Sequence, residues 1–237
     1  MTLPNHSLES TLVGRLSSAF AVDITSPAWL CFNRQATQSV CREMNTLQER
    51  VRRAVHEDVG ILPYDSRWPD LFRREAEHLR SCIPAALIRR IEHFGSTAVP
   101  GLAAKPIVDM LVQVTSLRAA RTEIAPILTA QGYDYFWRPS FGDDIPPWYA
   151  FFIRRDHPGI RTHHIHIVTG RRTFQEHWER LLFRDYLIAH PQTARSYERL
   201  KIELATAYPN DHVGYTNGKT AFIQRITAQA RTPHEVT

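Results

Sequence analysis

Hydrophobic positions along the chain change period several times, and each change marks an element. Residues 66–82 repeat at helical spacing: Phe72, Ala76, Leu79 and Ile83 make one stripe, with Ser66 as the expected cap and Ile83-Pro84 as the stop. Residues 90–114 then read as strand, turn, strand. Ile91, Phe94, Ile107, Val108, Leu111 and Val112 are types that strands favour, and Gly95-Ser96-Thr97 interrupts them. Helical spacing returns over 117–131, on Leu117, Ala120, Ile124 and Leu128, and Gly132 closes it. Residues 133–137 and 149–155 read as strands around the loop RPSFGDDIPPW. Residues 161–168 alternate strictly, placing His163, Ile165 and Ile167 on one face and Thr162, His164, His166 and Val168 on the other. Helices follow over 178–190, stopped by Pro191, over 193–207, and from 219 to about 230, with a turn-rich loop over 211–218. This order of strands and helices predicts one α/β or α+β domain with helices on a mixed sheet.

Upstream, the pattern fades. Residues 1–43 are rich in Ser and Thr, weakly charged and without a sustained period, so they read as a weakly structured extension. A helix over 8–21 is the one candidate element there. Residues 44–56 suggest a short basic helix on Leu47, Val51 and Val55, and the folded domain is expected over 44–237.

Composition narrows the class. A hydrophobic share of 43% supports a sizeable core and excludes global disorder. The net charge of +5 suits a polyanionic partner without requiring one. Three scattered cysteines, Cys31, Cys41 and Cys82, argue against a disulfide framework and for a reducing, cytoplasmic setting. No apolar run approaches the roughly 20 residues of a membrane span.

Several residue groups carry candidate chemistry. The Gly95-Ser96-Thr97 turn offers backbone N–H groups and two hydroxyls, an anion cradle to which Lys105 adds a point charge. Asp109 sits within a strand, where a carboxylate is costly unless it meets a metal, a base or a partner. His164 and His166 share a strand face and read as base and orienter. With Asp109 they also make a two-His-one-carboxylate set for a divalent ion, Mg²⁺ or Zn²⁺. Of Glu92 and His93, at most one points into the site, and His93 reads as structural. Asp143-Asp144 is either a solvated turn or a bidentate partner for a guanidinium. Arg138, Arg154, Arg155 and Arg161 either hold a polyanion or balance those acids, Arg154 being the substrate-binding candidate among them. Lys219, four residues after Tyr215, reaches either a phosphate or solvent.

Ser96 lies thirteen positions before Asp109, and a Gly-Ser turn followed by a strand acid at that spacing resembles the nucleotidyltransferase superfamily. The wider set YDSRWPDLF, IEHFGSTAVPGLAAKPIVD, THHIHIV and LLFRDYLIAHP, in that order, resembles the GrpB family over about residues 60–230. The resemblance implies a nucleotidyltransferase-like α/β fold: a mixed sheet flanked by helices, with its site at the Gly-Ser turn. Leu111 stands where those enzymes carry a second acid, and the His164/His166 pair stands where a third would be. That puts the usual two-metal site in doubt. Some fungal GrpB members are arginine-containing cyclodipeptide synthases. The leading expectation is therefore acyl transfer from aminoacyl-tRNA to a diketopiperazine. Asp109, His164, His166 and Ser96 would be catalytic, and Gly95, Thr97, Lys105, Asp143, Asp144, Arg154 and Lys219 would bind substrate. Metal-dependent nucleotidyl transfer from an NTP, or a nucleotide- or RNA-binding module without turnover, are the alternatives.

Overall fold

In the computed structural model, five strands form where the sequence turns β-branched and aromatic: β1 (Ile88–Phe94), β2 (Val108–Val114), β3 (Asp134–Pro139), β4 (Trp148–Arg155) and β5 (Arg161–Val168). The structure describes residues 60–140, 146–156 and 159–232. The helices expected over 8–21 and 44–56, and Asp143 and Asp144, lie outside those residues. The strands make one sheet in the order β1-β2-β5-β4-β3, with β2 parallel to β5 and every other pairing antiparallel.

Side-chain alternation decides what each face covers. On one face Val108, Met110 and Val112 of β2 join Ile165 and Ile167 of β5 and Ala150 and Phe152 of β4. They pack against α1 (Trp68–Cys82) and the helical run α2 (residues 117–129). On the other face Leu111, Tyr149, Phe151, Ile153 and Val168 meet Phe174 and Leu181. Both faces of β4 are therefore buried, which is why its sequence reads as a nearly continuous apolar run.

α1 buries Ala76, Leu79 and Ile83 as its periodicity requires, but Ser66 does not cap it. The carboxylate of Asp65, one residue earlier, takes the Arg67 N–H at 2.9 Å and so occupies that turn. α2 comprises Leu117–Ala119, the π turn Ala120–Ile124 and Ala125–Thr129. Pro126 lacks an N–H and its ring presses on the carbonyl four residues back, so the preceding turn widens.

α3 (Gln175–Ala189) runs into α4 (Pro191–Ala207) almost without a break. Pro191 both ends the first helix and opens the second, because its fixed φ and missing N–H suit a first turn. The segment expected as a loop over 211–218 is a helix, α5 (His212–Gly218). Asp211 starts it by accepting the N–H groups of Val213 and Gly214 at 3.0 and 2.9 Å. α6 (Thr220–Arg231) closes the fold. Val99 and Leu102, in the loop between β1 and β2, pack with Phe183 and Leu187 of α3, Tyr197 of α4 and Ile226 of α6. This small core brings the C-terminal helices over the Gly-Ser turn. No helix among the described residues is long and apolar enough to cross a membrane.

Candidate functional site

Asp109 is the second residue of β2, and the parallel register sets it beside His164 of β5. The His164 Nδ1–Asp109 Oδ1 distance is 3.1 Å, and Arg161 Nη1 lies 3.1 Å from His164 Nε2. A guanidinium can only donate. Nε2 must therefore accept, which leaves Nδ1 as the donor to Asp109. Burial, partly offset by the Asp109 carboxylate, holds His164 below the usual imidazole range. The pair is thus a neutral imidazole oriented at both nitrogens and hydrogen-bonded to a carboxylate.

Gly95 makes room for that carboxylate. Its φ is +75°, and a Cβ placed on it would lie 2.4 Å from Asp109 Oδ2. The Gly-Ser turn thus curls directly over the acid, as a short 3₁₀ turn, Ser96–Ala98. Ser96 lines the resulting cavity of about 220 Å³, near the buried phenol of Tyr197. Thr97 also lines it, but its hydroxyl is already engaged. It donates to the Ile107 carbonyl at 3.2 Å and accepts from His93 Nε2 at 3.0 Å. Thr97 is a brace between the two strands and at the same time part of the cavity wall where the sequence expects substrate. His93 is structural, as expected: it stacks on Phe72 of α1, with ring centroids 4.8 Å apart, and burial lowers its pKa to about 4.

Three lysines converge on the same cavity: Lys105 from the loop, Lys201 from α4 and Lys219 at the α5–α6 junction. Lys219 and Lys105 hold their ammonium groups 4.1 and 5.4 Å from the ring centre of Tyr215, a buried side chain of α5. Burial, with Asp109 opposing and Lys105 adding to it, lowers Lys219 to about 8. Burial also lowers Lys201, which is only 1% exposed, to about 7. His212 lines the same wall and falls to about 4, again chiefly through burial. Such a group of amines around a single acid favours a dense anion, because each bound negative charge relieves their mutual repulsion.

Lys201 and His212 escaped the sequence reading. A signal for Lys201 was present: it shares the inner stripe of α4 with Tyr197, where a charged residue is out of place. His212 carried no such signal, since its segment read as a loop.

Two expected members sit elsewhere. His166 is two residues further along β5, opposite Leu111 rather than Asp109. Its ring stacks on Tyr149 at 5.5 Å, and its Nδ1 lies 3.3 Å from Arg180 Nη1, whose N–H it must accept. Burial holds it neutral, well below the ordinary value. It therefore lies on the same sheet face as His164, one pleat repeat along, and is engaged by Arg180 and Tyr149 rather than by Asp109. Among the described residues no group of three His, Cys, Asp or Glu side chains is disposed to hold a metal ion. The donor set, one carboxylate already bonded to an imidazole and hemmed by amines, does not fit a resident divalent ion. Arg154 projects to the α1 face, where it pairs with the fully buried Glu75, itself hydrogen-bonded by Tyr133 at 2.6 Å. It serves the fold on the far side of the sheet from the cavity, which corrects its expected role in binding substrate.

The family model described as GrpB protein matches residues 58–229. Over 185 residues the chain is 37% identical to a UPF0157 protein of Pseudomonas aeruginosa, covering 77% of this chain and 72% of that one. It is 36% identical over 172 residues to the glutamate-rich protein GrpB of Alkalihalophilus pseudofirmus, covering 71% of this chain and 94% of that one. The crystal structure of the conserved protein GrpB from Enterococcus faecalis superposes with a TM-score of 0.60 at 34% identity, covering 72% of this chain and 96% of the other.

Proposed function

This chain belongs to the GrpB family, and from that premise we propose that the Asp109 cavity is the transfer centre of an acyltransferase that draws on aminoacyl-tRNA. The observation that carries the reading is the donor set: one carboxylate oriented by His164, three lysines, and Leu111 buried where a second acid would serve a nucleotidyl transferase. Chemistry of this kind needs a place for phosphate and a place for an amine, and no pyrophosphate leaves. The lysines hold the phosphates next to the terminal ribose. The carboxylate of Asp109 receives the α-ammonium of the aminoacyl group.

In the transfer step the deprotonated amine of a second aminoacyl group attacks the ester carbonyl. A C–N bond forms, the ester C–O bond breaks, and the departing ribose oxygen takes a proton. Lys219, with a pKa near 8, accepts and returns protons close to neutral pH. Ser96 supports the turn beside the carbonyl or receives the first acyl group. Repeating the step within the dipeptide ester closes a diketopiperazine. Arginine is the amino acid expected.

Cells with and without the expressed protein, compared by mass spectrometry, test the reading. New diketopiperazines, together with copurifying charged tRNA, support it. Pyrophosphate release from an NTP without such products overturns it in favour of nucleotidyl transfer. Asp109→Asn should abolish turnover while leaving the circular dichroism spectrum and unfolding midpoint in place; an unchanged rate would remove Asp109 from the mechanism.

A further inference from the structure

A second cavity opens at the opposite end of the β2/β5 pair. Thr115 there lies six positions beyond Asp109 along β2 and its exit, a span of about 20 Å at strand rise. Its volume is about 770 Å³, well above the 220 Å³ of the Asp109 cavity. Three arginines line it: Arg118 and Arg121 from α2, and Arg171 beyond β5. All three are exposed, and among the described residues none forms an ion pair. Two tryptophans line it as well, Trp137 from β3 and Trp148 from β4, both half-buried. Arg121 already lies over the Trp137 ring, 4.8 Å from its centre.

The cavity also holds an unsatisfied group. Thr169 lines it and is 8% exposed, and its hydroxyl is buried with no hydrogen-bond partner. A buried hydroxyl without a partner costs free energy that a ligand can return.

Flat indole surfaces beside guanidinium groups that no carboxylate among the described residues neutralises match one ligand chemistry: a π-face joined to an anion. We propose that this cavity binds a nucleotide unit, its base stacked on Trp148 or Trp137 and its phosphate held by Arg118 and Arg171. The unit is either a free nucleotide or one residue of an RNA strand, and both present the same groups. Arg121 sits between the two subsites, stacked on one ring and able to bond a phosphate oxygen. The inference stands apart from the acyl-transfer reading, because it uses none of the residues around Asp109.

Tryptophan fluorescence of the full chain, titrated with AMP, with a short oligoadenylate and with inorganic phosphate alone, tests it. Quenching by AMP identifies a free-nucleotide site, and quenching by the oligonucleotide alone identifies a strand site. Trp148→Phe should cut the quenching amplitude. The double substitution Arg118→Ala/Arg171→Ala, both at exposed positions, should weaken binding at least about tenfold. It should also reduce the dependence of log affinity on log salt by up to roughly 1.4, since each phosphate neutralised on a single strand adds about 0.7 to that slope. Asp109→Asn should leave this binding unchanged. The inference is overturned if neither nucleotide ligand quenches, if phosphate alone quenches as well as AMP, or if the arginine pair can be removed without effect on affinity. It is equally overturned if Asp109→Asn abolishes the signal, since the ligand would then sit at the other cavity. Absence of binding here would not touch the diketopiperazine assay, and failure of that assay would not touch the quenching.

Discussion

At the level of single residues, the arrangement turns on Gly95. Its positive φ and the 2.4 Å approach of Asp109 Oδ2 leave no space for a side chain. Gly95→Ala should therefore cost roughly 1–3 kcal/mol in urea unfolding and displace the carboxylate. A variant that keeps both stability and activity would contradict that geometry. The lysines give a pH dependence with a defined sign. Lys201 and Lys219, near 7 and 8, lose their protons well below the ordinary lysine value. Affinity for sulfate, whose charge is constant over this range, measured by calorimetry, should thus fall as pH rises from 6 to 9, where ordinary lysines would keep it flat. The sequence showed Gly95, Asp109 and Lys105 as a set because turn, strand and charge are local signals. It could not show that Thr97 spends its hydroxyl on Ile107 and His93, since that depends on which way two strands pair.

Secondary-structure elements position the cavity more than loops do. α4 grips both polar groups of the Ala103 backbone: Glu198 accepts its N–H at 2.7 Å and Lys201 donates to its carbonyl. Glu198→Ala leaves that N–H without its acceptor and should cost about 1–3 kcal/mol. Faster hydrogen exchange over residues 99–105 is the readout, and unchanged protection would show that the clamp is idle. The strands and their faces were legible because period-two alternation survives in β5 and in part of β2. α5 was not, because Gly214, Asn217 and Gly218 carry turn chemistry while a capping aspartate and the burial of Tyr215 decide the outcome. The parting of His166 from Asp109 was equally hidden. Shared face was readable from spacing, but the pairing partner of each histidine was set by a register between strands distant in sequence.

Across the whole molecule, buried histidines set the response to acid. His93, His177 and His212 are held near 4, 3 and 4, mainly by burial. The unfolded chain takes these protons near 6.5. Folding stability is therefore full above pH 6.5 and falls as pH drops from there toward 4 and then 3. Urea midpoints should decline over that window, and a flat profile between pH 6.5 and 4 would refute the burial of these rings as neutral groups. The fold class was legible from the order of elements, and the location of the principal cavity from one turn and one acid. The second cavity was not, since Arg118, Trp148 and Arg171 meet only when three strand ends close together.

Asp109 and His164 belong to the sheet, whereas Lys201, His212 and Lys219 arrive on helices that follow it in the chain. A nascent polypeptide halted after β5 would own the acid and its imidazole but lack most of the ammonium groups that draw in a polyanion. The capacity of this cavity to gather a polyanion therefore arises only once the last helices of the chain have docked onto the sheet.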